Sequence, residues 1–173
     1  MRKIILGILV VLVLTMFREV SMGEKIIPDE AIRLRVLANS NSNYDQMIKN
    51  KVKNKLQGNI YSLLQDVKSI DEARTIIRTN VDTFDNSIKN VLTLENKSIP
   101  YTVNFGSHYF PAKEYKGIRY EEGYYESLLV KLGEGKGNNW WCVLFPPLCL
   151  LEAEESSDVE YKFFVQELIE KFF

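Results

Sequence analysis

The sequence has little of several residue types on which common protein chemistries depend. It holds one histidine, His108, so a metal site built from several histidines is excluded, and any Ser/His/Asp or Cys/His arrangement would have to use that residue. No G-x-S-x-G nucleophile elbow is present, and His108 lies in an alternating segment typical of a strand. Neither sign of charge predominates, with 22 Lys and Arg against 23 Asp and Glu, which argues against nucleic acid as a partner. We therefore expect no metal site and a structural role for His108.

Long apolar runs are also scarce, and the longest begins near the N-terminus. Arg2 and Lys3 precede an uncharged stretch, Ile4 to Phe17, of about 14 residues, whereas a membrane-spanning helix needs about 20. This order is typical of a secretory signal. We predict that residues 1–23 are a signal peptide or an uncleaved N-terminal anchor, which would then contact the membrane, and that residues 24–173 form one exported domain.

Only two cysteines are present, Cys142 and Cys149. Export would place them where a disulfide can form, and a bridge across so short a loop would contribute about 2.5 kcal/mol. Two reduced, buried thiols are the alternative.

The periodicity of the apolar residues changes along the chain. Alternation over Ala31 to Asn39 predicts a strand, and spacings of three or four predict a helix from about Tyr44 to Val67. A second helix is predicted from Ser69, where Ser69 and Glu72 form a capping box, to about Val91. The following half alternates again between turn residues, and Ser157 with Glu160 predicts a terminal amphipathic helix. The predicted fold class is α+β: a single domain with an antiparallel sheet, two central helices packed on one face and a C-terminal amphipathic helix.

The segment from Gly133 to Cys149 is the most unusual in the chain. Its glycines match neither a P-loop nor a dinucleotide fingerprint, so we expect no nucleotide cofactor and a loop with backbone angles that favour glycine. Trp140 and Trp141 are adjacent and should point to opposite faces of a strand, so one indole should lie on the second face, either packed or exposed as a contact. Pro146 and Pro147 exclude a continuous helix or a central strand there.

Two further features leave alternatives open. Arg33 and Arg35 share one face of the first strand, where they form either an ordinary outward-facing pair or a polar contact surface. Acidic residues could supply a carboxylate pair for an exported cell-wall hydrolase, although acidic turn residues are usually solvated surface; the candidates are Glu121, Glu122, Glu126 and Glu134. A peripheral membrane protein that uses its terminal aromatic helix is a third possibility.

Two separated segments resemble the stage II sporulation protein R family. The first runs from Ala31 to Ser40, followed by Asp45-Gln46 and Lys51-Val52, and the second includes Asn139-Trp140-Trp141-Cys142 and Phe145-Pro146-Pro147-Leu148-Cys149. The resemblance implies a non-catalytic protein that is secreted from the forespore into the intermembrane space of the sporulation septum. There it would activate a membrane-embedded aspartic protease that processes a mother-cell sigma factor. The contact surface expected for that partner comprises Arg33, Arg35, Asn39, Ser40, Trp140, Trp141, Phe145, Pro146 and Pro147.

Overall fold

The computed structural model describes residues 30–115, 118–148, 167 and 169–172, and of Tyr115 and Ile118 it describes the backbone alone. The predicted signal or anchor at residues 1–23 and the predicted helix start at Ser157 lie outside these residues. Residues 169–172 are helical. Within the described part of the chain, no helix combines the length and apolarity needed to cross a bilayer. The elements are β1 (Ile32–Leu37), α1 (Asn43–Leu64), α2 (Ile70–Thr79), α3 (Val81–Leu94), β2 (Tyr101–Phe110), β3 (Lys113–Tyr115), β4 (Ile118–Tyr120), β5 (Gly123–Leu132) and β6 (Asn139–Phe145).

Four of the strands form one sheet in the order β2-β5-β1-β6, and β3 pairs with β4 in a separate two-stranded sheet. The β2–β5, β1–β6 and β3–β4 pairs are antiparallel, while β1 and β5 are parallel. The structure thus confirms the α+β class and the mostly antiparallel sheet. The parallel pair differs from the expectation, and it is possible because the chain between β1 and β5 passes through three helices and can return in the same direction.

One face of the sheet packs against the helices and forms the main core. In β1 the alternating Ile32, Leu34 and Val36 are all fully buried, as the period-two pattern predicted. Helix α1 buries its residues at spacings of three and four against this face. Phe172, from the C-terminal turn, packs edge-on against Phe145 at 5.2 Å between ring centroids.

The helix boundaries follow their caps. The Ser42 hydroxyl accepts a hydrogen bond from the Asp45 N–H at the start of α1, and the predicted Ser69 cap accepts one from the Glu72 N–H at the start of α2. The second predicted helix is divided at Asn80, giving three central helices rather than two. Asn80 leaves the helical region, with φ −106° and ψ 10°, and its side-chain amide donates to the Ile76 carbonyl, which ends α2 before α3 begins.

The second face of the sheet is also covered in part. A separate aromatic cluster lies there, and Ile169 packs against it. Since β2 and β5 are 10 residues long and β1 has 6, the longer strands extend beyond β1 and contribute Phe110 and Tyr125 to this cluster. The members of the cluster are Ala31, Phe110, Tyr120, Tyr125, Trp141, Val143 and Leu148.

Candidate functional site

The two segments that carry the family resemblance meet in space at the end of β1. Backbone and amide hydrogen bonds join residues 38–41 to the turn that precedes β6, although more than 90 positions separate them in the sequence. We call this region the Asn39 corner: Asn39, Ser40, Asp45 and the turn at residues 133–138. The joining bonds run from Lys136 N–H to Asn39 O (3.2 Å), Gly137 N–H to Ala38 O (2.9 Å), Glu134 N–H to Asn39 Oδ1 (3.0 Å) and Asn138 N–H to Asn41 Oδ1 (2.6 Å).

Glycines in the turn allow this close approach. A Cβ atom on Gly133 would lie 2.1 Å from Asn39 Oδ1, and one on Gly137 would lie 2.2 Å from the Ser40 carbonyl oxygen. Gly133 and Gly135 also have positive φ angles of 56° and 65°. The prediction of a loop with glycine-favouring backbone angles is therefore confirmed, and at Gly133 and Gly137 there is also no room for a side chain beside the segment that follows β1.

Asp45 is the electrostatic centre of the Asn39 corner. Its Oδ2 accepts hydrogen bonds from the Ser40 hydroxyl at 2.6 Å and the Asn39 amide at 2.8 Å, and Lys97 Nζ lies 3.2 Å from Oδ1. These donors hold the pKa of Asp45 down at about 2, with the Ser40 bond the largest cause, against the opposing effect of burial. The carboxylate therefore stays ionised and fixes both residues that end β1.

On the second face of the sheet, Arg33 is buried. The prediction that it faces outward, either as an ordinary surface residue or as part of a contact surface, is therefore wrong. The Arg33 side chain exposes 2% of its surface, and its guanidinium carbon lies 3.3 Å from the centroid of the Tyr125 ring. Phe110 and Trp141 complete the surroundings, with ring centroids 5.6 and 5.9 Å from the same atom. The arrangement places a cation among aromatic rings, a contact worth about 2 kcal/mol when desolvated.

The two tryptophans point to opposite faces, as predicted. Trp140 packs against the helix-side core, whereas Trp141 lies in the aromatic cluster, 9% exposed. Trp141 meets Tyr120 and Phe110 edge-on, with centroids 4.7 and 5.5 Å away. Of the two outcomes considered for the indole on the second face, the structure therefore shows packing.

Arg35 is half-buried beside this cluster and is held by three contacts. Its Nη1 donates to the Tyr109 carbonyl at 2.8 Å, and its guanidinium lies 5.3 Å from the Phe110 ring centroid. With the Asn139 amide oriented so that its oxygen faces Arg35, that oxygen accepts from Nη2 at 2.8 Å and from Nε at 3.0 Å. Burial lowers the pKa of Arg35 from its ordinary value. The side chain thereby connects β1, β2 and β6.

The nine residues predicted to contact a partner separate into two groups by exposure. Arg33, Trp141, Phe145 and Pro146 are buried, so their side chains do not form part of the exposed surface. The five partly exposed residues are Arg35, Asn39, Ser40, Trp140 and Pro147. The pairing of Val36 with Trp140 places the first four of these near the end of β1 and the start of β6, with Arg35 on the second face and Trp140 on the helix side, while Pro147 follows the opposite end of β6.

The acidic residues considered for hydrolysis are engaged separately. Glu126 accepts from Arg74 Nε at 2.8 and 2.9 Å, and Glu122 accepts from the Tyr109 hydroxyl at 2.8 Å. Glu121 pairs with Arg119 and Glu134 with Lys136. Each carboxylate therefore has its own donor.

His108 has a structural setting, as its strand position predicted. Its Nδ1 lies 2.8 Å from the hydroxyl of the buried Ser127, and Nε2 lies 3.0 Å from Asn104 Oδ1. Burial is the main cause that lowers its pKa. Among the described residues no group of three or more His, Cys, Asp or Glu side chains is placed to hold a metal ion. Cys149 lies outside the described residues, and the bridge to Cys142 stays a prediction.

Comparison with known proteins covers both of the segments that meet at this corner. A family model described as stage II sporulation protein R matches residues 28–155, which include both. The chain belongs to the stage II sporulation protein R family. A relative named "Stage II sporulation protein R" from Bacillus subtilis (strain 168) is 41% identical over 135 residues, covering 78% of this chain and 60% of the relative. The match thus spans somewhat less than two thirds of that relative's length. No solved structure matches the present chain significantly.

Three contributors to the Asn39 corner were not selected as site residues from the sequence. Asp45 follows Ser42 by three residues, a capping pattern that could have drawn attention to it. Gln46, whose amide donates to the Ser40 carbonyl at 2.9 Å, stands with Asp45 among the residues that carry the family resemblance, whereas Lys97 lies beyond α3 and has no such signal.

Proposed function

We propose that this protein is a secreted forespore signal that activates a membrane-embedded aspartic protease in the sporulation septum and so triggers pro-sigma-factor processing in the mother cell. The proposal follows from membership of the stage II sporulation protein R family and from what that resemblance implies. The protein would act in the intermembrane space of the septum, as a ligand without a catalytic step of its own.

The observation that carries the proposal is the Asn39 corner. Residues 38–41 and 133–138 are joined directly by hydrogen bonds, and Asn39 and Ser40 are partly exposed there. Two further partly exposed residues flank this junction, Arg35 on the second face of the sheet and Trp140 on the helix side. A surface held in place by several hydrogen bonds loses little conformational entropy when it binds. We therefore assign the partner contact to these four residues, at the rim of the sheet where β1 ends and β6 begins.

The test is processing of the sigma factor in sporulating cells that produce Arg35→Ala or Trp140→Ala. Arg78→Ala is the matched control, since Arg78 is an exposed arginine on α2, away from the corner. Secretion and thermal unfolding of each variant are measured in parallel. We expect Arg35→Ala and Trp140→Ala to be exported and folded but to lose processing, while the control processes normally. Normal processing by folded, exported forms of these two variants would contradict the proposed surface.

A second test distinguishes a signalling ligand from a cell-wall hydrolase. Glutamine replacements at Glu121, Glu122, Glu126 and Glu134 should leave signalling intact if the protein is a ligand. Loss of function with an unchanged fold would favour the hydrolase alternative.

A further inference from the structure

β2 is the end strand of the sheet on the side away from β6, and in the described part of the chain it pairs with β5 alone. On the helix side of β2, Tyr101, Val103 and Phe105 pack against the main core but stay partly exposed. The three β5 residues paired with them expose no more than 1% of their surface. Because paired residues lie side by side on one face of a sheet, the described residues leave the apolar face incompletely covered along β2.

β2 lacks the features by which edge strands usually avoid pairing with other chains. Such strands are commonly short, charged, bulged or interrupted by proline. The ten residues Tyr101–Phe110 include no lysine, arginine, aspartate, glutamate or proline. Their register with β5 is unbroken, so no bulge turns the strand away. Since every second residue of an antiparallel end strand directs its N–H and C=O groups outward, β2 offers a long uncharged row of hydrogen-bonding groups.

The first half of β2 has a symmetric order of residue types centred on Val103. Tyr101 and Phe105 are aromatic, and one exposed polar residue, Thr102 or Asn104, stands between each of them and Val103. If a second copy pairs antiparallel with Val103 opposite its own counterpart, each Tyr101 meets a Phe105 and each Thr102 meets an Asn104. Aromatic and polar pairs directly opposite each other stabilise antiparallel strands.

This register is favoured over its neighbours by the matching of apolar side chains. A twofold axis between two antiparallel strands sets one residue opposite its own counterpart, so each possible register is centred on a single residue. A centre at Asn104 would place Ser107 opposite Tyr101, and a centre at Phe105 would place Ser107 opposite Val103. The centre at Val103 instead pairs the three partly exposed apolar side chains with one another. The strand is therefore complementary to itself, which favours a second copy over an unrelated partner.

We propose that two copies of this chain associate through β2, with residues 101–105 of each paired antiparallel about a twofold axis at Val103. Each copy covers the apolar side chains that the other leaves partly exposed, and the two four-stranded sheets join into one of eight strands. Five residue pairs bury less than a standard interface, so the dimer should form at micromolar or higher concentrations. The inference goes beyond the proposed function and is independent of it, because β2 and β6 lie at opposite sides of the sheet.

The test follows the mass of the purified full-length chain by sedimentation equilibrium as its concentration rises. We expect the original chain to pass from monomer to dimer, with slower amide exchange in residues 101–105 at the concentrations where the dimer forms. Thr102→Glu/Asn104→Glu would place like charges opposite one another, as would Thr102→Lys/Asn104→Lys, so each should dimerise at least about tenfold more weakly. An equal mixture of these two double variants should form a heterodimer, since opposite charges then meet.

A matched control separates an effect at β2 from an effect of added charge. Asn50→Glu/Asn54→Glu makes the same charge change at exposed residues of α1 and should dimerise like the original chain. Thermal unfolding of every variant is measured first. Because Thr102 and Asn104 are exposed as well, all the variants should keep the fold.

Several results would overturn the inference. An original chain that stays monomeric at all concentrations would do so, and protection of residues 101–105 in that monomer would show that another part of the same chain covers β2. Unchanged dimerisation of both β2 variants would place the interface on another surface. Equal weakening in the β2 variants and the control would show that added charge, and not β2, controls association. Failure of the mixed variants to associate would reject the antiparallel register centred on Val103.

Discussion

Replacement of Asp45 by asparagine tests the electrostatics of the Asn39 corner. The substitution keeps the size of the side chain but removes the negative charge that accepts bonds from Ser40 and Asn39 and that attracts Lys97. The asparagine amide can present one oxygen acceptor where the carboxylate presents two. We expect the variant to be less stable at neutral pH and to hold Asn39 and Ser40 less firmly.

The size of the effect follows from the pKa. The pKa of Asp45 lies at about 2 in the folded protein against 3.8 ordinarily, and each unit corresponds to about 1.4 kcal/mol. With an allowance for screening at the protein surface, the ionised carboxylate contributes about 1 to 2 kcal/mol. Because the folded pKa is the lower of the two, this contribution is fully present above pH 3.8 and is lost as the pH falls towards 2.

The assay is urea unfolding followed by the fluorescence of Trp140 and Trp141, at pH 7 and at several values down to pH 2. Asp45→Asn should unfold about 1 to 2 kcal/mol more easily at pH 7, and the difference from the original chain should shrink below about pH 4. Asp66→Asn, an exposed carboxylate after α1, is the control and should show no such trend. Equal stability of the Asp45 variant at pH 7, or a difference unchanged at pH 2, would refute the assigned role.

Three other substitutions have distinct expected outcomes. Gly137→Ala should strongly lower the stability measured in denaturant, since the new Cβ would meet the Ser40 backbone in the Asn39 corner. Gly58→Ala, where α1 has open space, should raise the stability by about 0.5 to 1 kcal/mol. Similar values for the two variants would contradict the close approach at Gly137. Arg74→Ala should cost about 1 kcal/mol by removing its contact with Glu126 between α2 and β5, and a double-mutant cycle with Glu126→Gln should show that the two losses are not additive. Phe145→Ala should cost about 3 to 5 kcal/mol in the same assay because the ring is fully buried, and a loss under 1 kcal/mol would show that the ring is not part of the core.

Local patterns in the sequence predicted the helix-side core well. Ile32, Leu34 and Val36 alternate in the sequence and are buried together in the structure, and the Ser69 cap begins α2 as expected. These features depend on neighbours a few residues apart, which a sequence displays directly. The division at Asn80 was missed because apolar spacing continues across it, so periodicity alone gave one helix.

Features set by distant contacts could not be predicted in the same way. Arg33 alternates with apolar residues and therefore resembles a solvent-facing position, yet the far ends of β2 and β5 bring Phe110 and Tyr125 over it. The parallel pairing of β1 with β5 is likewise invisible in either strand. The meeting of the two motif segments was not predicted, although both segments were recognised separately, because their order in the chain does not reveal which strand ends are neighbours.

The central position of β1 has a consequence for the order of assembly. Its two neighbours are β5, which begins at Gly123, and β6, which ends at Phe145, so the earliest strand acquires its partners only after most of the later chain exists. Contacts between such remote positions slow folding, since a long loop must close before they form. A polypeptide that emerges N-terminus first would thus leave β1 without a neighbour in the sheet until β5 is released, and without its second neighbour until β6 follows.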